Sequence, residues 1–271
     1  MHQYKIFIFL IQVILIAQPL ISGFERTSQP TQVFSRGMSG SALYSAENIW
    51  LNPASIARIS SMRTTVFYSP SPFQLEQLSN YGLIISRAFP FAAMAVGFSS
   101  FGFSLYREST GSLFLGALIN DEFAAGIGWN LYHLSIEHYG SSINGVLDAG
   151  MIYSLSEQFN ISLVIQNVNG ASFDGEDDIP RVLISGISYA LTERGIVHVD
   201  IVKDVRFPLA YRAGFNVRLH ENIVVNAGTR TDSSLLCGGI GIVVSDWQVD
   251  YGIASHAELG VTHSLGITYH P

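Results

Sequence analysis

Hydrophobic and polar positions alternate along most of this chain. In residues 260–269, Val261, His263, Leu265, Ile267 and Tyr269 fall on one face of an extended segment, and Thr262, Ser264, Gly266 and Thr268 fall on the other. Residues 211–219 repeat the pattern, with Tyr211, Ala213, Phe215, Val217 and Leu219 set against Arg212, Gly214, Asn216 and Arg218. Side chains of a β-strand point alternately to opposite faces, so each run predicts a strand with one apolar and one polar or small face. Fourteen such strands are predicted, at 62–69, 79–88, 91–106, 111–118, 123–138, 146–154, 160–167, 180–190, 196–202, 208–218, 223–229, 235–243, 247–253 and 260–269; the long third segment has room for a hairpin at Ser99 to Gly102, which would change the count.

The predicted connections alternate in length. Phe89-Pro90, INDE (119–122), LSEQF (155–159), LTERG (191–195), LHEN (219–222) and SDW (245–247) are short. Between them, PSPFQLEQL (70–78), YGSSING (139–145), VNGASFDGEDDI (168–179) and ASHAELG (254–260) are longer, while RESTG (107–111) and RTDSS (230–234) match the turns. Short turns alternating with longer loops, together with an even strand count, predict a transmembrane antiparallel β-barrel. Fourteen strands of about ten residues and connections of about five need roughly 205 residues, which residues 61–271 supply. A barrel this wide is not filled by the side chains of its own wall. Its lumen needs another occupant.

Residues 24–60 are the candidate occupant. They are rich in Ser, Ala and Gly, and the stretch 42–50 reads as a short helix ended by Asn52-Pro53. Ahead of them, Lys5 and the apolar run IFIFLIQVILIA (6–17) form a secretory signal. Ser22 and Gly23 offer a cleavage site and Ala17 an earlier one. The expected organisation is a signal peptide over 1–23, an N-terminal luminal plug over 24–60 and an outer-membrane barrel over 61–271.

Composition agrees with a barrel in lipid. Charged residues are 13% of the chain, about half the usual share of a soluble domain. After the first 25 residues no run of 18 apolar residues offers a transmembrane helix. A soluble secreted β-protein is the remaining alternative, and the charge deficit speaks against it. Tyr211, Trp247, Tyr251 and Tyr269 lie near strand ends on apolar faces, where interfacial girdles form. The formal charge of −7 argues against a nucleic-acid partner. Cys237 is the single cysteine, so no disulfide forms within the chain.

Candidate chemistry is sparse, and the chain is not expected to be an enzyme or to carry a cofactor or metal. His133 and His138 fall on opposite faces of a strand. His198 and Asp200 share a face, without a nucleophilic serine elbow beside them. The acidic run DGEDD (174–178) lacks the spacing of a calcium loop and reads as a solvated connection. Gly126, Gly128, Gly214 and Gly241 sit inside strands, at bends or beneath a close-packed plug. Charged residues on the inward faces carry more weight: Asp148, Asp200, Arg212, Arg218, Arg230 and Asp250. Unpaired, each would cost several kcal/mol to bury. They are expected to pair with one another or with Glu47, Asn48 and Arg58 of the plug, and so to hold it.

The stretch GMSGSALYSAENIWLNPASIA (37–57) resembles the N-terminal signature of the PorV/PorQ-type and FadL-like outer-membrane proteins, with Gly37, Gly40, Asn52, Pro53 and Ala54 at the motif positions. FSLYRES (103–109), IEHYG (136–140), LDAG (147–150), VIQNVNG (164–170), YRAGFNV (211–217) and LGVTHSLGITY (259–269) follow in the family's order. Ser55 stands where the family commonly has Gly, and the external loops are shorter than usual. The resemblance implies a fourteen-stranded barrel of the bacterial outer membrane with its N-terminal segment in the lumen. It implies two alternative functions. A FadL-like barrel passes small hydrophobic solutes, with a hydrophobic ligand and membrane lipid as partners. A PorV-like barrel is a membrane partner or scaffold for proteins of type IX secretion.

Overall fold

The computed structural model describes residue 24, residues 28–173 and residues 177–271. The predicted signal peptide and most of the acidic run 174–178 lie outside the described residues. Sixteen strands follow the N-terminal segment: β1 (Arg63–Ser69), β2 (Asn80–Ala88), β3 (Ala93–Gly102), β4 (Tyr106–Leu118), β5 (Phe123–Ile136), β6 (Gly140–Ser154), β7 (Phe159–Gln166), β8 (Ser172–Phe173), β9 (Asp177–Asp178), β10 (Val182–Thr192), β11 (Gly195–Asp204), β12 (Ala210–His220), β13 (Ile223–Arg230), β14 (Leu235–Val244), β15 (Trp247–His256) and β16 (Gly260–Tyr269). Fourteen of them close into one barrel, and β8 and β9 form a separate small ribbon. Every barrel pairing joins neighbours antiparallel, and β1 pairs with β16 from Thr64↔Tyr269 to Tyr68↔Leu265 to complete the ring. Closure leaves no unpaired sheet edge, which is the condition for strands to stand in hydrocarbon.

The two faces of the wall differ as their sequences require. On β16, Leu265 and Ile267 are exposed on the outside, while Thr262, Ser264 and Thr268 are buried inside. Val66, Val96, Leu113, Ile127, Ile201, Phe215 and Val249 extend the outer apolar band around the ring. In water such a continuous belt would be an aggregation surface; around a closed barrel it is the surface that meets lipid. Trp247 packs against Tyr269 with ring centroids 4.7 Å apart and planes tilted by 40°, and the Tyr251 hydroxyl lies 2.7 Å from His263 Nδ1 on the same outer face. Among the described residues no helix is long and apolar enough to cross a membrane.

Three expectations of local structure are corrected. The third strand stops at Gly102, and β4 begins at Tyr106 and runs through the stretch 107–111 expected to be a connection. Gly102 has φ +105, and a Cβ there would stand 2.2 Å from the Tyr106 carbonyl oxygen, so only glycine makes this turn. The Gly- and Ser-rich stretch 139–145, expected as a loop, is mostly strand. β6 pairs with β5 along its length, beginning at Ile136↔Gly140, but reaches β7 only from Ala149↔Ile165 onward. This hairpin rises past the end of β7, and the connection 167–181 folds against its free side. There, Leu147 N–H donates to Asn169 Oδ1 at 2.9 Å and Val168 N–H to the Leu147 carbonyl at 2.8 Å.

The third correction concerns the N-terminal segment. No helix spans 42–50. A single turn of helix forms at Thr31–Ser35, a 3₁₀ turn at Ala46–Asn48 and a longer 3₁₀ turn at Pro53–Arg58. Asn52-Pro53 therefore starts a helical turn and does not end one. Proline suits a first helical position because its fixed φ fits and its missing N–H is not needed there. The segment packs on inward wall faces: the first turn against β13–β16, the last against β3–β6. Ile49, Trp50 and Ile56 join Phe67, Ile84, Ala93, Ala95 and Phe114 of the wall in the largest apolar cluster.

Candidate functional site

The NPA motif is the joint between segment and wall. Asn52 Oδ1 accepts the Ala54 N–H at 2.9 Å and caps the turn that Pro53 opens. Asn52 Nδ2 donates to the Ser41 carbonyl at 2.7 Å and to the Met151 carbonyl of β6 at 3.3 Å. Ala54 is fully buried against Ala124 and Ile152. The wall opposite must be thin. A Cβ on Gly126 would lie 2.4 Å from Ala54 N, and one on Gly150 would lie 2.1 Å from Asn52 Oδ1. Gly37 and Gly40 have positive φ, which lets the chain fold back on itself; a Cβ on Gly37 would meet the Thr229 backbone at 2.8 Å.

The inward carboxylates are held by N–H and O–H donors. Asp200 on β11 accepts Gly40 N–H at 2.8 Å, Ser41 N–H at 3.1 Å and the Ser41 hydroxyl at 2.8 Å. Asp250 on β15 accepts from Gln32 Nε2 at 3.1 Å and Gln248 Nε2 at 2.8 Å. Asp148 on β6 ends a relay: Trp50 Nε1 donates to Ser112, Ser112 to Asn130, and Asn130 to Asp148 Oδ2 at 2.7 Å. Its other oxygen accepts the Asn167 N–H at 3.0 Å, at the root of the connection 167–181. His198 is buried beside Asp200, and neither ring nitrogen has a hydrogen-bond partner there.

The predicted cations behave differently. Arg212 donates to Asp232 Oδ2 through Nη2 at 2.6 Å and Nε at 3.1 Å, and Arg230 Nε lies 3.7 Å from Asp232 Oδ1. Burial opposes ionisation of Asp232, but the two guanidinium groups outweigh it and hold the carboxyl below the usual carboxylate range. Arg218 shares the face of Arg212 on β12 but is exposed near the strand's end and joins none of these contacts. Glu47, Asn48 and Arg58 do not meet the inward carboxylates either. Glu47 approaches Arg63 at 3.6 Å, Asn48 accepts from Arg36 Nη2 at 2.6 Å, and Arg58 lies over the Tyr44 ring. Asp232 and the buried Arg36 complete these contacts and were missed in the sequence. Asp232 stands in a four-residue connection and Arg36 in a segment without periodicity, so no alternation marks either.

Above this joint, on the side of β10–β13, lies a cavity of about 440 Å³. Its wall is apolar, from Val182, Ile184, Val202 and Ala210. Phe207, Pro208 and Leu209 of the connection 205–209 form its rim, while Met38, Trp50 and Leu51 of the N-terminal segment face it. The Arg212–Asp232–Arg230 group supplies a charged edge. Such a volume suits a small molecule, and Asp204 and Gln166 add polar groups to its apolar lining. Among the described residues no cluster of His, Cys, Asp and Glu offers a metal site.

No family model matches the sequence, and no curated protein matches it. Solved structures do resemble the fold. The CymD monoaromatic hydrocarbon channel superposes with a TM-score of 0.71 at 14% identity, covering 92% of this chain and 99% of the channel. The Pseudomonas putida toluene transporter TodX gives 0.66 at 10% identity, covering 92% of this chain and 99% of its own. A Pseudomonas aeruginosa FadL homologue gives 0.63 at 10% identity, covering 89% and 98%. The chain thus has the fold of FadL-type outer-membrane barrels.

Proposed function

We propose that this barrel stands in the bacterial outer membrane and passes small hydrophobic solutes through its lumen. The observation that carries the reading is the apolar cavity beside the N-terminal segment, in a barrel whose fold is shared by hydrocarbon channels. A neutral hydrophobic molecule gains about 25 cal/mol for each Å² of apolar surface it removes from water. The wall of Val182, Ile184 and Val202 provides that burial, with the N-terminal segment acting as the luminal plug below it. Passage onward requires the segment to shift, since its residues close the lumen. The carboxylate and amide contacts of Asp200, Asp250 and Asn52 set how readily it does so.

The alternative, a PorV-like partner in type IX secretion, rests on the sequence resemblance alone; none of the three structures named above is a secretion component. The external connections are also short for docking a cargo protein, and 167–181 is the longest.

Trp50 faces the cavity, whereas Trp129 and Trp247 are exposed on the outer surface. In a Trp129→Phe, Trp247→Phe background, titration with a neutral hydrophobic molecule is expected to change Trp50 fluorescence saturably. An unchanged spectrum, in a protein that still shows the heat-modifiable gel mobility of a folded barrel, would remove the binding reading.

A further inference from the structure

Phe24 is held at both its backbone and its side chain. Its main-chain nitrogen lies 2.8 Å from Glu108 Oε2, and the other carboxylate oxygen accepts the Tyr106 hydroxyl at 2.6 Å. Its ring stacks on Tyr132 with centroids 4.4 Å apart and planes 6° from parallel, and on Phe173 at 5.4 Å. Val146 and Ile179 close the same cluster, leaving Phe24 only 4% exposed. Strands β4, β5 and β6 and the ribbon strand β8 all contribute to this one residue's surroundings. A carboxylate for the nitrogen and an aromatic sandwich for the ring form a receptor for a residue with a positively charged nitrogen.

The sequence places a processing signal at the same point. The apolar run 6–17 is followed by the small residues Ser22 and Gly23, directly before Phe24. Hydrolysis of the Gly23–Phe24 amide consumes one water, leaves a carboxylate on Gly23 and frees the Phe24 nitrogen as an ammonium group. An amide nitrogen offers Glu108 one neutral N–H; the ammonium offers a charge-assisted bond of about twice the strength. Capture of a chain's N-terminal amine by a prepared acceptor is an established mode of recognition.

We propose that signal cleavage falls between Gly23 and Phe24, and that the α-ammonium group so created docks on Glu108 with the Phe24 ring between Tyr132 and Phe173. The docked end pins the start of the N-terminal segment to β4, β5 and β6. Processing and seating of the segment are then coupled: the anchor exists in its charged form only in the mature chain. This assignment stands apart from the transport reading, since it concerns where the chain is cut and what holds its end.

The first test is the N-terminal sequence and intact mass of the protein extracted from outer membranes. A chain beginning at Phe24 is the expected result; one beginning at Gln18, at Gly23 or at residue 1 overturns the proposal. The second test labels the N-terminal amine of the folded protein with an N-hydroxysuccinimide ester at neutral pH. Glu108→Gln is expected to label several-fold faster than wild type, because the ammonium form loses its partner. Phe24→Leu, which keeps an apolar side chain and leaves Glu108 intact, controls for loosened packing and is expected to label more slowly than Glu108→Gln. Equal rates for wild type and Glu108→Gln, both heat-modifiable on gels, would overturn the docking.

Discussion

Gly40 of the N-terminal segment donates its backbone N–H to Asp200 of the barrel wall, 2.8 Å from N to Oδ2. The bond crosses the gap between two parts of the chain 160 residues apart. Gly40 has φ +102, so its N–H is presented by a backbone conformation that other residues rarely adopt. The contact thus joins a motif glycine of the N-terminal segment to an inward-facing aspartate of the wall. Ser41 adds its own N–H and hydroxyl to the same carboxylate.

Asp200→Ala is therefore expected to leave three buried donors short of an acceptor. Hydrogen bonds to charged groups contribute about 1.5–3 kcal/mol each, without simple additivity. The expected outcome is a loss of about 2–3 kcal/mol in stability, with the N-terminal segment cut faster by an added protease. Asp200→Asn, which retains acceptor capacity, should lose less. The thermal midpoint of the folded gel band and the proteolysis rate measure both effects.

Gly126→Val tests the seating of the segment from the other side. Its Cβ would fall 2.4 Å from both Ala54 N and Pro53 C, which are backbone atoms with no rotamer to yield. Ladder pairing of β5 with β4 and β6 does not depend on that position's side chain, so the wall should still close. The segment should lose its place, and single-channel conductance in planar bilayers should rise above that of wild type. Conductance equal to wild type in a folded variant would show that the segment does not block the lumen.

The inward faces and the strand count were legible because alternation is a property of the strand itself. Apolar positions such as Leu265 and Ile267 had to face lipid, and their neighbours the lumen. The length of the segment 91–106 allowed a hairpin near Ser99 to Gly102, but Phe103 and Leu105 carry the alternation past Gly102, so the position of the turn was not fixed. The start of β6 was hidden because GSSING (140–145) has loop composition, while its ladder with β5 satisfies the backbone regardless of side chain. Asp148, Asp200 and Asp250 stand out in the sequence as carboxylates on inward faces, but the backbone N–H, amide and hydroxyl donors that meet them carry no sequence pattern. Parity gives Arg218 the face of Arg212, but it is exposed near the end of β12. The cavity was not legible, since Val182, Ile184 and Val202 of neighbouring strands enclose it only together with Met38, Trp50 and Leu51, which come from the distant N-terminal segment.

The rim of that cavity should respond to acid. Asp232 lies in the connection 231–234, and its carboxyl is held below the usual range. A group whose pKa is depressed on folding contributes stability above its unfolded pKa, about 3.9 for aspartate. That contribution is lost as pH falls through the lower folded value. Wild-type stability should thus decline below about pH 4 in part through this residue. Asp232→Asn should be less stable at neutral pH and show a smaller decline over the same acidic interval. Thermal midpoints of both proteins across the acid range check the sign and the difference.

Transport is tested most directly by the uptake of a radiolabelled small hydrophobic solute into cells that carry the protein in an otherwise tight outer membrane. Wild type should admit the solute faster than cells without the protein, while a hydrophilic sugar of similar size gains nothing. Val182→Glu, which places a carboxylate in the half-buried apolar wall of the cavity, should return uptake toward the background while the barrel remains folded. Uptake no faster than background for wild type, or undiminished in Val182→Glu, would contradict passage of hydrophobic solutes by way of this cavity.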